Sequence, residues 1–309
     1  MAIQTLPESD PDLLRPGSDD ESRPGPPRKR RKKRSKLRWL GIAAGAVVCA
    51  LLLIIGIAVG VMMFLARDTA SPFKVGQALQ QFRELQRSEN ASSGRTLSGL
   101  PATGVYTYAT SGSESASAPG LPASTLGYPG TTTMTVFSDG CGEDWRWQPL
   151  SNRYEDMVVC RTTRNAISLR SRFDSEEFYG ATDNRNFACT AGSLLLPASA
   201  QPGEAVSGTC TNGGNANSGG LSISYTGEVV GDNVLEVGGV RVPTTQLVLN
   251  EKMTGDTVGT GTESIWLDSA TGLPVKELRT ENTRSESAVG WVPSSETFSL
   301  DLQSASPVR

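Results

Sequence analysis

From residue 101 onward, apolar and polar positions alternate in short runs broken by Gly, Pro, Asn and Asp. Leu235 and Val237 alternate with Val234 and Glu236, Leu247 and Leu249 with Val248 and Asn250, and Ile265 and Leu267 flank Trp266. A period of two sends successive side chains to opposite faces, so these runs predict half-buried strands. They cover 104–110, 131–137, 144–150, 154–161, 166–173, 221–230, 233–237, 241–253, 262–267, 274–283 and 296–302. No run of helical period interrupts them, which favours hairpins over β-α-β units. The expected fold is mainly β: antiparallel meanders whose apolar face must be covered by a second sheet, a helix or closure into a barrel.

Two helical patterns precede the strands. Residues 39–66 are uncharged and mostly apolar, and a span of roughly 20 residues crosses the hydrocarbon core of a bilayer. This predicts one transmembrane helix, uncleaved because the run exceeds a signal-peptide core and no small-x-small site follows it. Directly before it stand Arg28, Lys29, Arg30, Arg31, Lys32, Lys33, Arg34, Lys36 and Arg38. Lys and Arg favour the cytoplasmic side, so the expectation is a single-pass cell-membrane protein, N-terminus cytoplasmic and C-terminal domain extracytoplasmic. Each cation beside an anionic surface gains about 1 kcal/mol, which makes membrane lipids an expected partner. The second pattern, Phe73, Val75, Leu79, Phe82 and Leu85, predicts a short amphipathic helix over 73–87.

The chain thereby divides into a disordered cytoplasmic tail with a polybasic end (1–38), the transmembrane helix (39–66), a juxtamembrane helix and spacer (67–100), an extracytoplasmic β domain (101–303) and a disordered tail (304–309). A Gly-, Asn- and Ser-rich stretch at 211–220 separates candidate halves 101–210 and 221–303.

Charge and cysteines sharpen this picture. The net charge of −3 is the balance of +5 over residues 1–38 and −8 over the rest, so nucleic acid is not an expected partner of the outer domain. Four of the five cysteines, Cys141, Cys160, Cys189 and Cys210, fall in that domain, where disulfides persist. The four allow three pairings, of which the sequence-local one, Cys141 with Cys160 and Cys189 with Cys210, is preferred because it closes two loops of about 20 residues, each stabilising by roughly 3 kcal/mol. No C-x-x-C knuckle is present, so no zinc site is expected. Cys49, inside the apolar run, reads as a membrane-buried residue.

The chain has no histidine. That removes Ser-His-Asp triads, Cys-His dyads and imidazole acid-base work together. There is no P-loop, no G-x-G-x-x-G between a strand and a helix, and no G-x-S-x-G elbow, so no enzyme and no cofactor are expected. Asp183-Asn184-Arg185-Asn186 lacks a calcium-loop pattern. The carboxylate pairs Glu143-Asp144, Glu155-Asp156 and Glu176-Glu177 read as solvated surface charge, since neighbours on a strand face opposite ways. Trp145, Trp147 and Trp266 are the candidate ligand-facing aromatics; the first two share a face and either stack on a ligand or pack in the core.

Three runs carry a resemblance: Tyr225-Thr-Gly-Glu-Val-Val-Gly, Val240-Arg-Val-Pro-Thr-Thr-Gln-Leu-Val-Leu, and Ile265-Trp-Leu-Asp-Ser-Ala-Thr-Gly-Leu-Pro-Val-Lys. Together they are similar to the C-terminal block of actinobacterial cell-envelope proteins and to the LolA/LprG-like lipoprotein-carrier class. The resemblance implies an unclosed barrel wrapped around a cavity that holds acyl chains. The chain departs from the carriers in its membrane anchor, its four outer cysteines and its single clear covering helix. Two functions are therefore expected: a non-catalytic envelope protein that receives an apolar ligand such as a lipid on a curved sheet, or a structural or signalling module that docks another envelope protein.

Overall fold

The computed structural model describes residues 70–89, 99–162, 166–178, 181–213, 220–287 and 290–309. They form one helix, α1 (Val75–Glu89), and fourteen strands. In chain order these are β1 (Gly104–Ala116), β2 (Ser124–Gly127), β3 (Thr131–Asp139), β4 (Gly142–Leu150), β5 (Arg153–Arg161), β6 (Ile167–Phe178) and β7 (Ala181–Cys189). There follow β8 (Leu194–Leu196), β9 (Ala205–Asn212), β10 (Leu221–Val237), β11 (Val240–Gly255), β12 (Thr257–Asp268), β13 (Pro274–Ser287) and β14 (Gly290–Leu302).

Twelve of them close into an antiparallel barrel. The wall runs β1-β3-β4-β5-β6-β7-β9-β10-β11-β12-β13-β14 and returns to β1. Closure is one of the covers the alternation leaves open, and it corrects the unclosed barrel that the resemblance implies. It depends on β1, whose Tyr108–Ala116 pair with Leu302–Ser294 of β14 while its other edge takes β3 and then β2. Local alternation reports that a strand has an inner face; which distant edge it pairs with depends on the curvature of the whole sheet. The two candidate halves share this one barrel, because β9 pairs with β10 from Ala205–Glu228 to Asn212–Leu221.

The antiparallel order sorts the turns into two rims. The β1–β2, β4–β5, β6–β7, β9–β10, β11–β12 and β13–β14 connections lie at what we call the upper rim; the start of β1 and the remaining hairpins lie at the lower rim. The lower half is filled by apolar side chains that include Tyr106, Tyr108, Met134, Val136, Trp145, Leu247, Ile265, Leu267 and Leu300. Outward positions carry hydroxyls and charges, with Ser111 bonded to Ser299 and Ser115 to Ser295 across the β1–β14 pair at 2.8 and 2.9 Å. That exterior differs from the apolar band a membrane barrel turns to lipid.

α1 lies outside the barrel. Its start is capped by Gln77, whose Oε1 accepts from the Lys74 N–H at 2.9 Å. Ala78 and Phe82 bury against Val105 of β1 and Phe137 of β3, the two phenyl rings 5.8 Å apart. The helix starts two residues later than the periodicity predicts: Lys74 is the cap, its carbonyl accepting from the Gln77 and Ala78 N–H groups, while Phe73 lies along the end of β4 with its N–H on the Pro149 carbonyl at 3.2 Å. Among the described residues no helix is long and apolar enough to cross a membrane; the predicted span 39–66 and the basic cluster at 28–38 lie outside them. The expectation of a disordered 304–309 tail is corrected: Val308 pairs with Val105, and Arg309 Nε donates to the Thr103 carbonyl at 3.0 Å. The tail has little side-chain signal but still offers backbone groups to the free edge at the start of β1.

Candidate functional site

In the upper half the inward positions change from apolar to charged. Along β13 the inner face reads Val275, Glu277, Arg279, Glu281; along β5 it begins Arg153, Glu155. Glu155 is the hub. It accepts from Arg153 Nη2 at 2.5 Å and Arg279 Nη1 at 3.2 Å, with Arg172 Nη2 at 3.6 Å. Burial by itself would resist its ionisation, but Arg279, Arg153 and Arg172 together outweigh that and hold its carboxyl well below the usual range.

The same guanidiniums serve other acids. Arg153 also reaches Glu114 at 3.1 Å and Glu296 at 3.2 Å, and Tyr128 donates to Glu296. Arg279 reaches Glu281 at 2.9 Å and Glu251 at 3.4 Å; Arg172 reaches Asp174 at 2.9 Å. Arg185 pairs with Asp183. The register also turns Glu176, Glu263 and Glu277 inward, so four arginines face ten carboxylates. Such a ratio cannot keep every acid charged in a shielded space. Burial first, then the neighbouring acids, push Glu263 up to about 7 and Glu277 well above the usual range. Glu114 and Glu281 are pushed up to about 7 by burial despite Arg153 and Arg279. The space left between these groups is about 70 Å³, far below the several hundred cubic ångströms of a ligand pocket.

The residues singled out in the sequence are distributed as follows. Trp145 and Trp147 point inward and are buried; Trp147 packs 4.6 Å from the Phe298 ring and donates to Thr132, while Trp145 donates to Glu143. They are core residues and line no ligand cavity. Trp266 is on the outer face, with Lys276 Nζ 5.8 Å from its ring, so the three indoles do not converge. Cys141–Cys160 and Cys189–Cys210 are both bonded. The reading of Glu143, Glu155 and Glu176 as surface charge is corrected: the strand period turns all three inward, and Glu143 and Glu155 are almost fully buried. Asp156, on the outer side, makes the bidentate pair with Arg146 at 2.6 and 2.7 Å.

A second feature lies in the wall. In the lower half β6 pairs with β8, and beyond Val229 no described strand covers the β9-side edge of β10. Between them is an open notch of about 640 Å³, bordered by Leu196–Ala200 on one side and Asp232, Asn233 and Val234 on the other. Arg161 lines it with a buried Nε that has no hydrogen-bond partner. Val230, Val234 and Val240 stand exposed on the adjoining β10–β11 hairpin.

No family model matches the chain, and no curated protein matches it. Among solved structures it is similar to the hypothetical lipoprotein YmcC from Escherichia coli (K12), with 13% identity over 70% of this chain and 95% of that one and a TM-score of 0.27. A likeness at that level carries no argument about fold or function. The closed wall and filled lumen differ from the unclosed, acyl-holding barrel that the carrier resemblance implies.

Proposed function

We propose that this is a membrane-anchored, non-catalytic protein of the cell envelope that docks an extended segment of another envelope protein in the wall notch between β8 and β10. The observation that carries this reading is the free β10 edge beside that notch. Unpaired N–H and C=O groups in a row are a template for an added strand. The exposed valines supply the apolar part of such a contact. Enclosure of a lipid inside the barrel is disfavoured by the filled lumen. The inner carboxylates are engaged by arginines or by one another, which suits a framework better than a reaction centre.

The test is a photo-crosslinking residue at Val234, with the full chain expressed in its native host. The expected result is a discrete protein adduct, lost when Gly231→Pro distorts the edge. Adducts to lipid alone, or an acyl lipid in stoichiometric amount in organic extracts of the purified protein, would return the weight to the lipid-binding reading.

A further inference from the structure

Cross-strand partners share a face, so the register of β11, β12, β13, β14 and β1 fixes what this part of the wall turns outward. Along β13 the inner face takes Glu277, Arg279 and Glu281, which leaves Lys276, Leu278 and Thr280 outside. The outer row through Leu278 reads Val248, Ser264, Leu278, Ser299 and Ser111, one residue per strand. Above it lie Thr262, Thr280 and Thr297; below it lie Trp266, Lys276 and Asp301. At about 4.8 Å between neighbours, five strands span roughly 19 Å. The middle and upper rows line a groove of about 330 Å³ that shares no residue with the notch beside β10.

Three properties of this face narrow its partner. It is neutral: the charges in these rows are Lys276 and Asp301, which pair at 3.0 Å, whereas the outer face of β4 and β5 carries Arg146 and Asp156. An anionic polymer finds no uncompensated cation in it.

The face is also dense in hydroxyls, each both donor and acceptor. Ser111 and Ser299 spend one proton between them at 2.8 Å, so the second proton and the remaining lone pairs stay available to a ligand.

Its apolar surface is small. Leu278, 41% exposed, stands between Ser264 and Ser299, and Trp266 lies one row below. A protein interface needs a contiguous, desolvated apolar core, which one leucine and one indole do not make. A sugar ring presents the matching mixture: hydroxyls at its rim, and on its face C–H groups that pack on aliphatic and aromatic side chains.

We propose that the outer face of β11–β14 and β1 binds a linear neutral polysaccharide laid across the strands, its hydroxyls on the serine and threonine rows and a ring face against Leu278 and Trp266.

The test uses the full chain in a detergent without a sugar headgroup, titrated in a calorimeter with hexasaccharides of neutral glucan, mannan and galactan and with a hexamer of galacturonic acid. Saturable binding of at least one neutral hexamer is expected, and none of the acidic one. Trp266→Ala should weaken that binding about five-fold or more. Thr280→Glu sets a carboxylate in the groove without touching the indole and should weaken it at least as much. Trp291→Ala removes an exposed indole at the start of β14, away from the groove, and should leave it unchanged. Silence of every neutral hexamer, tighter binding of the acidic one, or neutral binding that depends on Trp291 and not on the two groove variants overturns the proposal.

Discussion

Arg279 on β13 and Glu155 on β5 meet at 3.2 Å across the lumen, although their strands are not neighbours in the wall and the residues are 124 apart in sequence. The contact is a strut between opposite sides of the barrel. Arg172 and Arg153 converge on the same carboxylate, so Glu155 ties β5 to its neighbour β6 and to the far wall at once.

Removing that carboxylate takes from Arg153, Arg172 and Arg279 the one acid they share, leaving each with acids on its own side of the lumen. Glu155→Leu is expected to destabilise the barrel by about 3–5 kcal/mol. Adding Arg279→Met should deepen the loss, because Glu251 and Glu281 then lose their cation in turn. Urea unfolding of the wild type and the two variants measures this; a Glu155→Leu barrel within about 1 kcal/mol of wild type would mean that the strut is dispensable.

Stability should peak on the acid side of neutral. Glu114, Glu263 and Glu281 hold their protons up to about 7 in the folded barrel, against an ordinary 4.5. Between those values the folded state binds more protons than the unfolded chain, so the stability these groups add is complete below 4.5 and lost as pH rises through 7. Glu155 works in the opposite sense: its folded value lies far below the ordinary one, so its contribution is present above 4.5 and fails only in strong acid. Thermal melting should give a higher Tm near pH 5.5 than near pH 8, and a lower one at either pH when the Glu155 carboxylate is removed. A Tm that rises steadily toward pH 8 contradicts the charge sorting in the lumen.

The Cys189–Cys210 bond sits where the wall is thinnest. β7 and β9 share only two register pairs, Ala188–Thr211 and Cys189–Cys210 itself. Replacing both cysteines by serine should cost about 3 kcal/mol and raise amide exchange in β7 and β9 ahead of the remaining strands. Replacing Cys141 and Cys160 should leave that seam protected. Hydrogen-exchange mass spectrometry separates the two, and uniform loss of protection in both variants would argue against a local seam.

Phe82 is the anchor of α1, almost fully buried against Phe137. Phe82→Ala should cost roughly 3 kcal/mol of helix docking and make residues 75–89 sensitive to protease while the barrel stays intact. Concerted digestion of helix and barrel would show instead that the two unfold together.

Ten of the fourteen strands are visible in the alternation. The predicted 221–230 and 233–237 runs are one strand, β10, with a bulge between Val229 and Gly231. The four strands with no signal are β2, β7, β8 and β9. β7 is the clearest case: its inward residues include Asp183 and Arg185, so it offers no apolar stripe although it faces the interior. The charged lumen was hidden for the same reason. Pairs such as Arg153 and Glu155, two apart on one strand face, look the same in the sequence whether that face is buried or exposed, and the far wall that encloses them, with Arg279, is 124 residues away.

What the amino-acid sequence determines by itself is local: the apolar run with its basic flank, the strand period, the amphipathic helix, the even cysteine count and the missing histidine. Each follows from side chains within a few residues of one another, or from simple presence and absence. The tertiary structure alone decides that the sheet closes, that its upper interior is ionic, and that its wall is notched beside β10. Those features depend on pairings between β1 and β14, β5 and β13, and β6 and β8. Backbone edges and opposite charges carry no label in the chain that says which distant partner they will meet.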